Sequence, residues 1–404
     1  MSLTKRTILI SICLLFLGNV LYSQTLTQTV RGRIVDQESR TALPGANVIV
    51  LDSTNRLGST TDVDGNFRID NVPVGRISLG ITFIGYEDKM LRNILVTSGK
   101  ETVLDIVLKE SLTMMEAIEI NDDKDKSEIA NEMALTSARA FTVEETKRYA
   151  GSFNDPARMV SAYAGVDTDP SGNNSIIVRG NSPKGIQWRL EGIDIPNPNH
   201  FSDEGATGGP INTLNSQMLA NSEFYTGAFA PEFGNALSGV FDMRLRNGNN
   251  EQREYSFSLG ALGTDASIEG PFVKGGGSSY LVNYRYSTLS LLNNLGLVDF
   301  DGIPKYQDLS FKVNIPTASF GTFSFFGLGG KSNIQEEEFE DDSEEKLLEQ
   351  GNYKAHMGVV GVTQYWSLSS NTYLQNSISV SENGSGYRGY KPNDQNEIDE
   401  TEKW

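Results

Sequence analysis

The sequence predicts a mainly β chain of several domains, with an α+β segment in its middle. Three observations carry the prediction. Residues 30–109 alternate short β-rich runs with turns rich in Gly, Pro, Asp and Asn, the pattern of a small sandwich. Residues 134–165 hold helix-start signals ahead of one-sided apolar spacing. From residue 252 onward, apolar and polar side chains alternate with period two. The 40 glycines and 9% aromatic residues suit turn-rich β structure. At 404 residues there is room for two or three domains, and a mean hydropathy of −0.33 leaves no stretch beyond the N-terminus that resembles a spanning helix.

The chain begins as an export signal. Lys5 and Arg6 form a basic start, residues 8–17 an apolar core, and Ser23 a small residue at a cleavage point. The apolar run is too short to span, so residues 1–23 read as a signal peptide. Losing Lys5 and Arg6 takes the net charge from −18 to −20. That balance excludes a nucleic-acid partner, since a phosphate-binding face needs clustered Lys and Arg. Cys13, the single cysteine, lies inside the signal segment, and too deep in it for lipidation. The mature chain therefore has no disulfide framework, thiolate metal site or cysteine nucleophile. His200 and His356 stand too far apart for a local metal motif. No motif of paired carboxylates suggests general acid–base work. Neither metal nor cofactor is expected, and the chain is not expected to be an enzyme.

Residues 29–110 form the first unit. Strands are expected at 30–35, 46–51, 67–69, 76–84 and 103–108, with turns at Pro44-Gly45, Asp62 to Asn66, Pro73 to Gly75 and Gly85. Asp62 and Asp64 raise the thought of calcium. The loop lacks a third acidic ligand and a distal glutamate, so a hairpin turn is preferred. The motifs G-R-I-V-D, L-P-G-A-N-V, T-D-x-D-G-N-F and V-P-x-G together resemble the carboxypeptidase regulatory-like domain. That resemblance implies a transthyretin-like sandwich of the kind often found ahead of the plug in receptors of Bacteroidetes-type bacteria.

Residues 111–130 read as a charged linker. It opens on the apolar-acidic run Met114, Met115, Glu116, Ala117, Ile118, Glu119 and Ile120. Residues 131–247 follow as one domain. Thr142 to Glu145 is a capping box, and Asp155-Pro156 opens a second helix with Met159, Val160 and Tyr163 on one face. Residues 176–195 read as a strand ending at Arg179-Gly180, a turn, a second strand ending at Glu191-Gly192, and Ile193 beyond; a plain hairpin is one reading. Residues 196–201, with Asn197, Asn199, His200 and Phe201, are irregular, and 211–219 read as a short helix. Residues 223–246 carry Gly227, Gly234 and Gly239 between two strands; no G-K-[ST] follows and no helix opens, which rules out a phosphate loop.

The V-R-G to E-G-I stretch and the 223–246 glycine segment, in this order after a linker, resemble the plug domain of TonB-dependent outer-membrane receptors. The family usually has aspartate-glycine where Glu191-Gly192 stands here. The resemblance implies the following. The plug motif comprises Arg179, Gly180, Glu191, Gly192, Gly227, Gly234 and Gly239, with Arg179 and Glu191 as plug-to-barrel polar contacts. The TonB box lies within residues 114–120, able to add a strand to TonB. Asn197, Asn199, His200 and Phe201 face an extracellular nutrient ligand, although a mere surface loop is an open alternative. Partners are TonB with its inner-membrane ExbB/ExbD motor, outer-membrane lipid and a surface lipoprotein, the last left undecided. The location is the cell outer membrane, with the N-terminal domain in the periplasm.

Within that resemblance, residues 248–404 become the first strands of an antiparallel transmembrane β-barrel. Tyr255, Phe257 and Leu259, then Tyr280, Val282, Tyr284 and Tyr286, then Phe311, Val313 and Ile315 would face lipid, with polar alternates toward the lumen. A soluble sandwich with one wet face alternates identically. The 269–277 stretch reads as a short periplasmic turn and the acidic 332–350 stretch as a long outer loop. There is room for about six to eight strands at about 9–11 residues each, so a fragment of a larger barrel is expected. The competing functional reading is a secreted or surface adhesin or structural β protein without transport; a third is a periplasmic carboxypeptidase accessory module, against which the absence of zinc ligands counts.

Overall fold

The computed structural model describes residues 26–37, 41–51, 57–111, 138–141, 146, 148–149, 151–152, 154–168, 173–202, 205–220, 222–227, 229, 231–260, 263–296, 302–339, 347–369, 372–390 and 398–403. They form two compact units. The first ends at Ser111; the second takes the remainder, together with the short turn 35–41.

The first unit is a sandwich of β1 (Thr27–Asp36), β2 (Asn47–Val50), β3 (Gly58–Thr60), β4 (Asn66–Pro73), β5 (Gly75–Thr82), β6 (Lys89–Val96) and β7 (Thr102–Leu108). One sheet has the order β4-β1-β7 and the other β3-β2-β5-β6. Their inward residues, among them Val30, Ile34, Phe67, Leu79, Ile81 and Leu108, share one core. β3 and β6 are the two strands that pattern reading misses. Both are sheet edges, where Lys89, Arg92 and Asn93 are tolerated and blur the alternation. Asp62 Oδ1 accepts from the N–H groups of Asp64 (3.0 Å) and Asn66 (2.8 Å), so this carboxylate closes its own hairpin turn.

In the second unit come β8 (Ala138–Phe141), α1 (Pro156–Val160), β9 (Val166–Thr168), β10 (Ile176–Val178), β11 (Ile186–Leu190), β12 (Ile193–Asp194), β13 (Asn199–His200), β14 (Ile211–Asn212), β15 (Ser222–Tyr225) and β16 (Gly239–Met243). A five-stranded mixed sheet has the order β12-β11-β16-β15-β8, with β11 and β16 parallel. Phe241 stacks on Trp188 and meets Phe224 at a tilt, at 4.4 Å each. α1 starts as read: Asp155 is the N-cap, accepting from Ala157 N–H at 2.9 Å, and Pro156 follows it. The Thr142 to Glu145 box lies outside the described residues.

Three local expectations are corrected. Residues 138–141 are a strand, because β15 supplies their hydrogen bonds. β10 and β11 are not a hairpin: β10 pairs with β9, while β11 pairs with β12 and β16. No α-helix forms at 211–219. The Asn212 and Asn215 side chains capture the N–H groups of Leu214 and Gln217, which leaves one 3₁₀ turn at 216–218.

An eight-stranded antiparallel sheet follows in sequence order: β17 (Glu254–Leu259), β18 (Thr264–Pro271), β19 (Ser279–Tyr286), β20 (Lys305–Thr317), β21 (Gly321–Phe339), β22 (Leu347–Ser369), β23 (Thr372–Tyr390) and β24 (Ile398–Lys403), with α2 (Thr288–Asn294) between β19 and β20. Glu269, Gly270 and Pro271 belong to β18, so the short turn is 272–278. The expected 332–350 loop is mostly strand: β21 runs to Phe339 and β22 resumes at Leu347. Hairpin pairing needs only main-chain groups, so it continues where apolar alternation stops. At about 3.3 Å per residue β22 is roughly 75 Å long, well beyond a bilayer core of about 30 Å.

The two faces of this sheet invert the soluble rule. Tyr255, Phe257, Ile378 and Val380 are each more than 70% exposed. On the other face Glu269, Asn283, Asp308 and Ser310 are at most 2% exposed. A sandwich in water buries its apolar face; this sheet buries a face that carries these polar groups against β8–β16 and their loops, with Leu281, Phe326, Leu328, Met357 and Val359 of the same face joining the core there.

Candidate functional site

The interface between the five-stranded sheet, with its loops, and the polar face of the long sheet concentrates charge. At the end of β11, Leu190 and Ile193 pair across Glu191-Gly192, which both have positive φ (54° and 78°), the signature of a two-residue hairpin turn. The Glu191 carboxylate receives Lys312 Nζ of β20 at 3.0 and 3.2 Å and Leu245 N–H at 2.6 Å, while Lys312 also donates to the Leu245 carbonyl at 2.7 Å. Both side chains are buried, so each charge depends on the other.

A second pair lies just past β16. Arg246 grips Glu269 of β18 through two hydrogen bonds of 2.7 and 2.8 Å, and Asn249 N–H adds a third at 3.0 Å. A third cluster centres on Asp308 of β20. It receives Arg285 Nε at 2.8 Å and His200 Nε2 at 3.0 Å. Arg285 also donates to the Asn212 carbonyl. Tyr306 flanks the imidazole at 4.8 Å, and Phe201 N–H donates to Ser332 Oγ at 3.0 Å. Asn215 reaches Asn283 Oδ1 at 3.1 Å, and Asn283 in turn donates to Asp265 and Ser267. Behind this contact zone Asp155 accepts from Asn174 (2.6 Å) and Asn212 (3.0 Å), and Asn174 also donates to Asn199.

Burial sets the protonation tendencies. It pushes the Asp155 carboxyl above the usual range, against the hydrogen bonds from Asn174 and Asn212. It pushes His200 below its ordinary value, against the pull of Asp308. Burial also raises Asp242, against Arg244 and Arg189.

The residues singled out in the sequence are distributed unevenly. Met114, Met115, Glu116, Ala117, Ile118, Glu119 and Ile120 lie outside the described residues. Glu191 reaches the long sheet directly. Arg179 is exposed; its N–H donates to the Gly165 carbonyl at 2.8 Å and its guanidinium lies over Gly227. The expectation that Arg179 contacts the barrel is therefore replaced by a contact within its own domain, because the left-handed Arg179-Gly180 turn directs the side chain there. A Cβ on Gly239 would sit 2.9 Å from Ile186 Cδ1, so this glycine permits the β11–β16 approach, whereas the position at Gly234 is open. The expectation of a ligand-facing loop is corrected for Asn199 and His200, which are 3% and 2% exposed and pair with β14. Asn197 accepts from Asn199, and Phe201 turns at positive φ toward Ser332.

Sequence reading missed Asp308, Glu269 and Arg246 as interface residues. It did put Asn283, Arg285 and Lys312 on the polar alternates, and that period was the available signal.

Residues 29–109 match the family model described as the carboxypeptidase regulatory-like domain. The chain is 22% identical over 263 residues to the TonB-dependent transporter Oar of Myxococcus xanthus, covering 63% of this chain and 23% of that protein. It is 22% identical over 351 residues to the TonB-dependent receptor P3 of Formosa agariphila, covering 84% of this chain and 30% of that protein. The chain thus spans less than a third of the length of these two relatives. A solved structure of the outer membrane transporter YddB from Escherichia coli superposes with a TM-score of 0.43 at 11% identity, over 62% of this chain and 39% of that one. The chain carries a carboxypeptidase regulatory-like domain and is a relative of TonB-dependent receptors.

Proposed function

We propose that residues 131–247 are the plug of a TonB-dependent outer-membrane receptor, and that the sheet from residue 248 onward is part of the barrel wall which that plug closes. One observation carries the reading: the long sheet exposes a row of large apolar side chains and buries the face that carries its charged and amide groups. A lipid-facing wall around a polar interior has that arrangement. It is the reverse of what an adhesin built from soluble sandwiches would show.

The interface chemistry supports a gate. A purely apolar contact would have to expose hydrocarbon to water on opening, at about 25 cal/mol per Å². Here Glu191–Lys312, Arg246–Glu269 and the Asp308 cluster hold the two parts together around a limited apolar patch of Leu281, Phe326, Leu328, Met357 and Val359. Buried ion pairs return to water with much of their desolvation cost recovered, so such an interface is specific in register yet separable. In this reading TonB, energised from the inner membrane, adds a strand to residues 114–120 and pulls. The plug shifts, and a nutrient captured outside passes. The N-terminal sandwich lies in the periplasm.

The test is deletion of residues 114–120 in the receptor expressed in its own outer membrane. Capture by the periplasmic domain of TonB and nutrient uptake should both be lost, with outer-membrane assembly intact. Unchanged capture and uptake would refute the box assignment.

A further inference from the structure

We propose that Lys305, Lys331 and Lys354 form a docking site for the phosphate groups of an outer-leaflet glycolipid. The proposal rests on the barrel reading above. In the sheet register Lys305 of β20 pairs with Asn333 of β21, and Asn333 pairs with Lys354 of β22. Lys331 stands two residues from Asn333 on β21, opposite His356. The three lysines therefore make a triangle on adjacent strands. Neighbouring strands are about 4.8 Å apart and same-face residues about 6.8 Å apart along a strand. Three flexible side chains on that grid can close on one phosphate group.

The triangle is on the outward face. Even-numbered steps along each strand carry Lys305 to Leu309 and Phe311, Lys331 to Phe325, and Lys354 to Val360. All three lysines are exposed. Among the described residues none of the three has an ion-pair partner, and the outward carboxylate of Glu382 sits instead by His356, at 3.6 Å. Three adjacent cations without an ion pair among the described residues are unexpected in a chain of net charge −18. A surface that repels anions overall must bind one through a local cluster.

Depth identifies the anion. The paired rows through Ile315, Val313, Phe311 and Leu309 form the apolar band. Along the strands they cover about 20 Å, or about 15 Å of height at the tilt of such barrels, and the row of Lys305 and Lys354 falls about 26 Å above Ile315, at the edge of their roughly 25 Å band. Lys331 occupies the next row up and Lys305 and Lys354 the one after, the level of lipid headgroups. The end is also defined. Connections 260–263, 287–304, 340–346 and 391–397 lie on the lysine side and total 36 residues, against 12 residues in 272–278, 318–320 and 370–371 opposite. Longer connections mark the outer side of such barrels. The anion at that level is a phosphorylated glycolipid headgroup, with Leu309, Phe311 and Val360 below it to meet acyl chain.

The experiment uses the whole receptor, extracted from outer membranes in detergent, titrated with fluorescent lipid A, dephosphorylated lipid A and inorganic phosphate. Each of Lys305→Gln, Lys331→Gln and Lys354→Gln should weaken lipid A binding about fivefold, and the three together on the order of 100-fold. Dephosphorylated lipid A should bind wild type as weakly as lipid A binds the triple variant. The triple Lys→Arg variant should retain binding. Wild-type affinity in the triple Gln variant, or equal binding of dephosphorylated lipid A, would overturn the site. Inorganic phosphate binding as tightly as lipid A would overturn the glycolipid assignment. Unchanged heat-modifiable mobility verifies that a variant is folded; if triple Gln fails it, the single variants decide. A wild-type chain absent from the outer membrane would sink the barrel reading and the site together, whereas a correctly inserted barrel that binds no lipid A sinks the site alone.

Discussion

Glu191 Oε1 and Lys312 Nζ are 3.0 Å apart across 121 residues of sequence, both buried, with Leu245 bonded to each. Removing one partner strands the other charge in a buried interface. Glu191→Gln or Lys312→Met alone should each destabilise the contact between the β8–β16 domain and the long sheet by about 3–5 kcal/mol. The double variant should lose far less than the sum, because no charge is left unpaired. Denaturant unfolding, followed through the buried Trp188, measures all three. Strictly additive losses would show that the pair is not coupled.

His200 predicts a pH dependence. Burial holds its folded-state value below the ordinary 6.5, so the unfolded chain takes up the proton first. Its contribution is present above about pH 6.5 and is lost as pH falls from there through the lowered folded value. Asp308, Arg285 and Tyr306 face the imidazole and remain in place in His200→Gln. That variant should flatten the fall in thermal stability between pH 7 and pH 5. Asp155 acts in the opposite sense: its raised value means stability present below 3.8 and lost as pH rises through the folded value. A His200→Gln profile parallel to wild type would remove His200 from this account.

What could be read in advance follows the range of the interaction. Asp155-Pro156 was legible because an N-cap and the proline after it act within three residues. The outward row of Tyr255, Phe257, Val282 and Phe311 was legible because period two is local. The partners of Glu191 and His200 were not, since Lys312 and Asp308 lie more than 100 residues on and any polar alternate of β20 would have looked equivalent. The same blindness made Asn199 and His200 look like surface loop: Asn and Pro mark irregular backbone, not exposure. β10 looked like half of a hairpin because the turn after it is genuine, while its actual partner, β9, precedes it.

Gly248 tests where the chain passes from the β8–β16 domain to the long sheet. A Cβ there would fall 2.1 Å from the Tyr280 carbonyl oxygen and 2.6 Å from its carbon, both backbone atoms of a paired strand. Gly248→Ala should therefore destabilise by about 3 kcal/mol. Gly358→Ala is the control: nothing lies within 4 Å of its Cβ position, so the change should stay within about 0.5 kcal/mol. Equal melting temperatures for the two variants would show that the 247–249 passage is looser than its geometry.

Gly330 makes a finer test of this interface. On β21 its Cβ position lies 2.7 Å from His200 Cε1 and 2.9 Å from Thr213 Cγ2, both side-chain atoms packed against the long sheet. Side chains can move where backbone cannot, so Gly330→Ala should displace His200 from Asp308 rather than unfold the long sheet. The expected loss is about 1–3 kcal/mol, confined to the His200 region. Hydrogen exchange should then quicken at Phe201, whose N–H is held by Ser332 Oγ, and stay slow at Leu245, whose N–H is held by Glu191. If both amides quicken together, the β8–β16 domain separates from the long sheet as one rigid body and the two clusters are a single latch.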